Sequence, residues 1–268
     1  MKLEIIRNVF LKDRYLLLEL SAPRSFSRAV PGQFLHIRIE DSSDPLLRRP
    51  LSIHDLESRK RGKSSGEKTI VKILYEIAGK GTALLAEKRP LSQVDVLGPL
   101  GRGFDIKKAR AANVIYLLAG GMGVAPLYFL AKRLSREKKK IEVLIGGRNK
   151  DHIMREREFR DLGCEVHVAT EDGSLGLKGR VTALLLERLK AARPQGRRAI
   201  CACGPKPMLA AVAEISRQKS IPAQVSLEEF MGCGVGACLG CVIRTTFGYK
   251  RICHDGPVFD AEEVIWTE

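Results

Sequence analysis

The sequence predicts two domains of different class followed by a short cysteine-rich module: an all-β antiparallel barrel, a parallel α/β domain, and a glycine-studded loop. Three observations carry this. Residues 3–100 contain short apolar or alternating runs with no helical period. From 114 onward, β-branched runs alternate with amphipathic helical runs. Residues 226–260, SLEEFMGCGVGACLGCVIRTTFGYKRICHDGPVFD, hold four of the seven cysteines.

In the first region, strands are expected at 3–6, 15–19, 34–39, 70–77 and 93–96, where β-branched residues and alternation coincide. Pro31-Gly32 marks a turn before the third. The polar, basic stretch 55–69 reads as a surface loop, and 82–88 as a short helix. Several short strands without helical period point to a small antiparallel barrel. After the connector GPLGRGFDIKKARAAN, strands are expected at 114–119, 141–145, 165–169 and 199–203. Helices are expected after Gly123 and at 182–190 and 207–218, the alternation of a parallel α/β domain. The boundaries follow: barrel 1–106, α/β domain 107–222, cysteine module 223–268.

The net charge of +15 comes from 46 basic and 31 acidic residues, which raises nucleic acid as a partner. The basic residues are scattered, with short runs at 59–63, 138–140 and 197–198, and none is interleaved with aromatics. A solvated basic surface, with no nucleic-acid partner, is the better reading. Residues 1–11 lack the apolar core of a signal peptide, and no run approaches the ~20 apolar residues of a membrane span. The expected location is the cytoplasm.

The cysteine loop is the most specific feature. Four residues separate Cys233 from Cys238, two separate Cys238 from Cys241, and eleven separate Cys241 from Cys253. C-x4-C-x2-C with a distant fourth cysteine is the spacing of plant-type [2Fe–2S] sites. Gly232, Gly234, Gly236 and Gly240 flank the first three. Glycine lets the loop curl so that backbone N–H groups point at thiolates. Zinc is the competing occupant, but it usually takes two close cysteine pairs set far apart in sequence.

Three further loops suit phosphates and nucleotides. Arg49-Pro50-Leu51-Ser52 offers a guanidinium fork and a hydroxyl. Gly79-Lys80-Gly81-Thr82 opens a helix, where backbone N–H groups favour an anion, although a plain turn reads the same way. Gly120-Gly121-Met122-Gly123 lies between a strand and a helix, and so does Cys203-Gly204-Pro205. That is the place for dinucleotide contact, although the pattern is not G-x-G-x-x-G. Cys164 and Cys201 read as packing residues. His54 and His254 read as structural.

Taken in order, R-x-x-S, GKGT, GGMGVAP, CGP and the cysteine loop resemble the ferredoxin reductase superfamily. More closely, RRPLSI, LYEIAGKGTALL, GPLGRGFD, AGGMGVAPL, EDGSLGLKGRVT, CGPKPML, MGCGVGACLGC and ICHDGPVFDAEEV resemble the electron-transfer subunits of NAD-dependent (class 1B) dihydroorotate dehydrogenases, over essentially the whole chain. The resemblance implies FAD in the barrel, with Arg49 on its pyrophosphate and Ser52 at the isoalloxazine edge. It implies Pro50 and Leu51 as further FAD-binding residues, Leu74, Tyr75 and Glu76 lining the flavin strand, and Gly81 and Thr82 on the phosphates. Leu51 stands where many superfamily members have an aromatic residue. It implies NAD(H) at Gly120, Gly121, Gly123, Cys203 and Gly204, and a [2Fe–2S] cluster on Cys233, Cys238, Cys241 and Cys253. It implies a role in pyrimidine biosynthesis and a heterotetramer of two such chains with two FMN-containing catalytic subunits. No residue of this chain need act as a catalytic acid or base. Relatives in NADH-linked ferredoxin:NADP oxidoreductases and sulfide dehydrogenase complexes are the alternative; some of these have aspartate in place of the first cluster cysteine. Phe230, Met231, Val235 and Leu239 are candidates for a docking face around the cluster.

Cys238→Ser tests the ligand assignment. Iron and acid-labile sulfide should fall sharply while FAD content is unchanged; unaltered iron and sulfide would contradict the assignment.

Overall fold

The computed structural model describes residues 1–59, 68–137, 139–191 and 196–266. The expected loop 55–69 and the basic runs at 59–63 and 138–140 lie partly outside these residues.

Seven strands form the first sheet: β1 (Lys2–Lys12), β2 (Tyr15–Ala22), β3 (Phe34–Arg38), β4 (Arg49–Ser52), β5 (Asp55–Arg59), β6 (Lys68–Glu76) and β7 (Gln93–Leu100). Their order is β4-β3-β7-β1-β2-β6-β5, and every pairing is antiparallel. Beyond β4 the chain stitches the two sides together. The Ile53 N–H donates to the Gln33 carbonyl at 3.0 Å and the His54 N–H to the Lys72 carbonyl at 2.8 Å, which curls the sheet into a barrel. Its core holds Ile5, Leu16, Leu18, Leu35, Ile37 and Ile73, with Leu85 of α1 (Lys80–Ala86) packed against them.

The strands depart from expectation at two places. The stretch read as a loop from 55 begins with a strand: β5 pairs antiparallel with β6, Asp55 opposite Lys72. Asp55, Glu57 and Ser58 suit an edge strand, which natural sheets protect with charge, and that composition resembles a loop. Arg49–Ser52, outside every strand expected in this region, is itself β4 and pairs with β3.

After α2 (Ile106–Arg110) comes the second sheet, built from β8 (Val114–Gly120), β9 (Lys140–Gly147), β10 (Glu165–Thr170), β11 (Leu177–Lys178), β12 (Arg198–Cys203) and β13 (Ala223–Ser226). Interleaved helices are α3 (Val124–Leu134), α4 (Glu156–Asp161), α5 (Val181–Ala191) and α6 (Lys206–Lys219). Then follow the hairpin β14 (Val242–Thr245) and β15 (Gly248–Arg251), the turn α7 (Ile252–Asp255), and β16 (Val258–Asp260). The order is β11-β10-β9-β8-β12-β13-β16. All pairs are parallel except β13 with β16. Central β8 is buried along Ile115–Ala119, the continuous apolar run of a strand covered on both faces. The boundary expected at 222/223 runs through this sheet, because β13 and β16 flank the cysteine loop and are its last two strands. Three residues of β16 carry too short a pattern to announce a strand. Among the described residues, no helix is long and apolar enough to cross a membrane.

The barrel meets the second domain at α3. His54 is fully buried, its Nδ1 2.9 Å from the Ala125 carbonyl and its ring stacked on Tyr128 at 4.7 Å. Burial, and then the Arg155 charge, push its pKa down to about 3, so the ring stays neutral. Beside it Lys132 of α3 reaches Asp55 at 2.7 Å. His54 is thus a structural rivet between the domains.

Chain order reverses direction across the sheet between β8 and β12, the switch point where doubly wound sheets take ligands. There the turns after the two strands touch. A Cβ on Gly123 would lie 1.9 Å from the Cys203 carbonyl oxygen, and one on Gly120 would lie 2.7 Å from Met208 Sδ. Gly123→Ala must therefore push the turns apart, at about 1–3 kcal/mol for overpacking. The expected outcome is a lower melting temperature and at least tenfold weaker NADH binding, read by titration, with the flavin spectrum unchanged.

Candidate functional site

A cleft of about 1010 Å³ opens between the barrel and the second domain. That is the upper end of the roughly 300–1,000 Å³ usual for small-molecule sites. The barrel wall is β4 and the end of β6: Arg49, Pro50, Leu51, Ser52, Leu74, Tyr75 and Glu76 all line it, as does Thr82 of α1. Met122 and Ala125, from the glycine turn and α3, form the side facing the second sheet. The segment leaving β13, residues 226–231, forms the opposing wall.

Each barrel residue has a local reason for its place. Gly81 lets Arg49 lie across the start of α1, since a Cβ there would meet Arg49 Nε at 2.5 Å. The Thr82 hydroxyl accepts from the Ala78 N–H at 2.9 Å and the Gly79 N–H at 3.2 Å, which closes the GKGT turn. The first-turn amides of a helix lack intrahelical acceptors and suit a phosphate. Leu74 and Glu76 share one face of β6, while the Tyr75 side chain turns into the barrel, where its hydroxyl donates to Asn8 Oδ1 at 3.0 Å. Tyr75 therefore meets the cleft through its backbone. Burial raises the Tyr75 pKa to about 12 and keeps the phenol neutral.

At the switch point Gly120, Gly121 and Gly123 come together with Cys203 and Gly204 as expected. The Cys203 thiol, however, is sealed in the core, its pKa pushed up by burial and by the Glu228 charge. What Cys203 offers is its backbone. Cys164 and Cys201 are also buried, with pKa values raised by desolvation to about 11 and about 12.

The cysteine loop curls as its glycines require. Gly234 and Gly236 have φ of +72° and +84°. The N–H groups of Val235, Ala237 and Cys238 converge on Cys233 Sγ at 3.4, 3.3 and 3.4 Å. Desolvation raises the Cys233 pKa, but these donors outweigh it and bring it to about 6. The Gly236 N–H points at Cys253 Sγ, 3.1 Å away, and the Cys253 N–H at Cys241 Sγ, 3.4 Å away. The electrostatics couple Cys233 to Cys238, and Cys253 to Cys241 and then to Cys233. Among the described residues, the only trio of ligand atoms within 4.8 Å of one another is Glu142, Glu165 and His167, so the sulfurs are not gathered for one tetrahedral ion. Two thiolates per iron is what a two-iron cluster takes; one zinc ion needs all four at about 2.3 Å. The donor set fits the cluster.

Behind the loop, Arg251 donates to the Gly236 carbonyl at 3.0 Å and pairs with Asp255 at 3.1 Å. His254 Nδ1 lies 2.9 Å from Asp255. Burial works against the charged form of Asp255, but hydrogen bonds from Arg251 and His254 outweigh it and hold the carboxyl well below its usual range. His254 is a brace in this network, as expected for a structural residue.

Sequence reasoning missed Phe34, the 44–48 loop and residues 226–229 as lining, and placed Phe230 and Met231 on a docking face instead. Exposed Leu46 and Leu47 in a polar loop were the available signal. Glu228 stands in a crowded recess that raises its carboxyl pKa by desolvation, yet its surface is open to the cleft. Met231, expected on a docking face, is buried in the second core, whereas Phe230, Val235 and Leu239 are exposed.

Comparison with known proteins agrees with this architecture. The family model "Iron-sulfur cluster binding domain of dihydroorotate dehydrogenase B" matches residues 228–265, and "Oxidoreductase NAD-binding domain" matches 117–214. The chain is 48% identical over 238 residues to the dihydroorotate dehydrogenase B (NAD(+)) electron transfer subunit of Bacillus caldolyticus, covering 88% of this chain and 86% of that protein. The same subunit from Geobacillus thermodenitrificans is 42% identical, with 98% of each covered. Among solved structures, an NADH-dependent reduced ferredoxin-NADP oxidoreductase aligns with a TM-score of 0.81 at 29% identity, covering 98% of this chain and 90% of that one. A ferredoxin NADP+ reductase from Neisseria gonorrhoeae with bound FAD and NADP shares the fold, with a TM-score of 0.66 at 14% identity over 81% of this chain and 90% of that one. On sequence, fold and cysteine loop together, this chain belongs to the family of dihydroorotate dehydrogenase B (NAD(+)) electron transfer subunits.

Proposed function

We propose that this chain relays electrons from an FMN-containing dihydroorotate dehydrogenase subunit to NAD+, in pyrimidine biosynthesis, through a [2Fe–2S] cluster and FAD. The observation that carries the proposal is continuity: the wall of the large cleft at 226–231 runs directly into the first cluster cysteine, and the glycine turn at the switch point closes the other side. When bound, nicotinamide exchanges electrons in pairs, the cluster one at a time, and the flavin in either way.

The chain itself holds and shields. We assign Arg49, Gly81 and Thr82 to the FAD phosphates, Ser52 to the ring edge, and Pro50, Leu51, Leu74, Tyr75 and Glu76 to the ring wall. Gly120, Gly121, Gly123, Cys203 and Gly204 receive NAD(H) through their backbone. Cys233, Cys238, Cys241 and Cys253 hold the cluster. No side chain is required as a general acid or base.

Around the cluster, Phe230, Val235, Leu239, Val242, Phe247 and Tyr249 are exposed apolar or aromatic side chains on one loop and the hairpin that follows it. Such a patch marks an interaction site. We assign it to the FMN-containing subunit, in a heterotetramer of two chains of each kind in the cytoplasm; a cluster that serves another chain has to lie near the shared surface. The likeness to an NADH-dependent reduced ferredoxin-NADP oxidoreductase favours a second reading, in which the partner belongs to that kind of complex. Val235→Glu and Leu239→Glu test the docking face. Each variant should keep FAD, cluster and NADH–dye activity, yet lose partner binding and at least tenfold of orotate-linked turnover of the complex. Full turnover in both would contradict the docking face. Failure of the unsubstituted pair to couple orotate to NADH would contradict the partner.

The nucleotide preferred is NADH. Glu171 and Asp172 follow β10, which β9 separates from β8 at the switch point, on the same strand-end edge of the parallel sheet. Asp172 is occupied by its own turn, accepting from the Ser174 N–H at 2.9 Å and its hydroxyl at 2.7 Å. The Glu171 residue is exposed, and its carboxylate repels a 2′-phosphate or accepts from a ribose hydroxyl. NADH should exceed NADPH in kcat/KM by at least tenfold, and Glu171→Gln should narrow the gap. Equal efficiency with both nucleotides would contradict the assignment.

A further inference from the structure

On β3, Leu35 and Ile37 enter the barrel core, so Phe34 and His36 share the opposite face. Phe34 lines the large cleft, and so does Pro50, which pairs with His36 across the strands. His36 is fully buried, yet neither of its ring nitrogens completes a hydrogen bond. Burying an imidazole without a partner is costly. What covers it is the cysteine loop: a Cβ on Gly234 would lie 2.3 Å from His36 Nδ1, and the Cys233 and Arg48 main chains lie beside the ring without completing a bond to it. An imidazole carries an N–H in either protonation state, and the Cys233 carbonyl beside Gly234 can accept it.

Packing alone does not explain this residue. The module is fastened to the barrel elsewhere, by the Arg102 N–H on the Gly256 carbonyl at 2.5 Å and by the Arg102–Pro257 bridge. An aliphatic side chain would fill the space under Gly234 without burying two polar atoms.

We propose that His36 is a positioning residue for the cluster, its ring N–H holding the Cys233–Gly234 turn at the edge of the flavin cleft. This rests on the cluster reading above. Its role is geometric: the Cys233 thiolate receives three backbone N–H groups only while this turn keeps its shape. Those donors tune the cluster, and the turn sets its distance from the flavin.

The test uses the FAD- and cluster-loaded chain. Asparagine places an amide nitrogen near the position of Nδ1, whereas phenylalanine keeps the ring and removes both nitrogens. His36→Phe should retain FAD and NADH–dye activity, but shift the reduced cluster's EPR g-values and midpoint potential and slow its reduction by NADH at least tenfold in stopped flow. His36→Asn should recover most of each. Wild-type signature and rate in His36→Phe would overturn the proposal, and so would an Asn variant impaired as severely as the Phe variant. If His36→Phe loads no cluster, the Asn variant decides: near-normal g-values and rate support the proposal, and absence of the cluster there too overturns it. Iron and sulfide missing from the unsubstituted chain would overturn the cluster reading itself, and this one with it.

Discussion

Electron tunnelling falls off steeply with distance, and this constraint shapes the whole molecule. The flavin cleft and the cluster loop have to be neighbours, and one run of main chain makes them so. Ser226 ends β13, the next residues wall the cleft, and Cys233 follows two positions after Met231. Met231 faces the second core and anchors the run, while Phe230 beside it is exposed. The far end of the loop returns through Cys253 to β16, which pairs with β13. Because both ends of the loop are strands of one sheet, the cysteines cannot drift from the cleft without breaking backbone hydrogen bonds.

The other distance in the relay is set differently. The wall proposed for the flavin belongs to the barrel and the turn proposed for the nicotinamide to the second sheet, so this gap depends on side-chain contacts between domains. His54 on the Ala125 carbonyl and Asp55 with Lys132 provide them, both directed at α3, the helix that the glycine turn opens. A neutral buried histidine suits the task, because it forms its bond without a charge to desolvate. The cofactor order is thus supported by two kinds of mechanics, a continuous sheet at one junction and a riveted interface at the other.

Much of this was legible in the sequence, and the reasons are local. The four cysteines and their glycines are read from spacing because ligand geometry and loop curvature are short-range. The glycine turns are read because a strand-to-helix switch is written in neighbouring residues. The rest depends on tertiary placement. β5 escaped because an edge strand tolerates the composition of a loop, and β16 because three residues hold no pattern. Tyr75 and Cys203 lie on strands that reach the cleft and the switch point, but strand alternation and burial turn their side chains inward. His36 gave no signal at all: a histidine in an apolar strand looks like any core histidine until the loop that covers it, some two hundred residues later in the chain, is in place.

The central claim is that one chain couples paired to single electron transfer through adjoining sites. An anaerobic titration of the purified chain with NADH, followed by visible absorption and low-temperature EPR, tests it most directly. The account predicts bleaching of a flavin and the appearance of a spin-half signal from a reduced two-iron cluster, at one cluster per chain. Flavin bleaching with no cluster signal, or a chain that binds zinc in place of iron and sulfide, would contradict it.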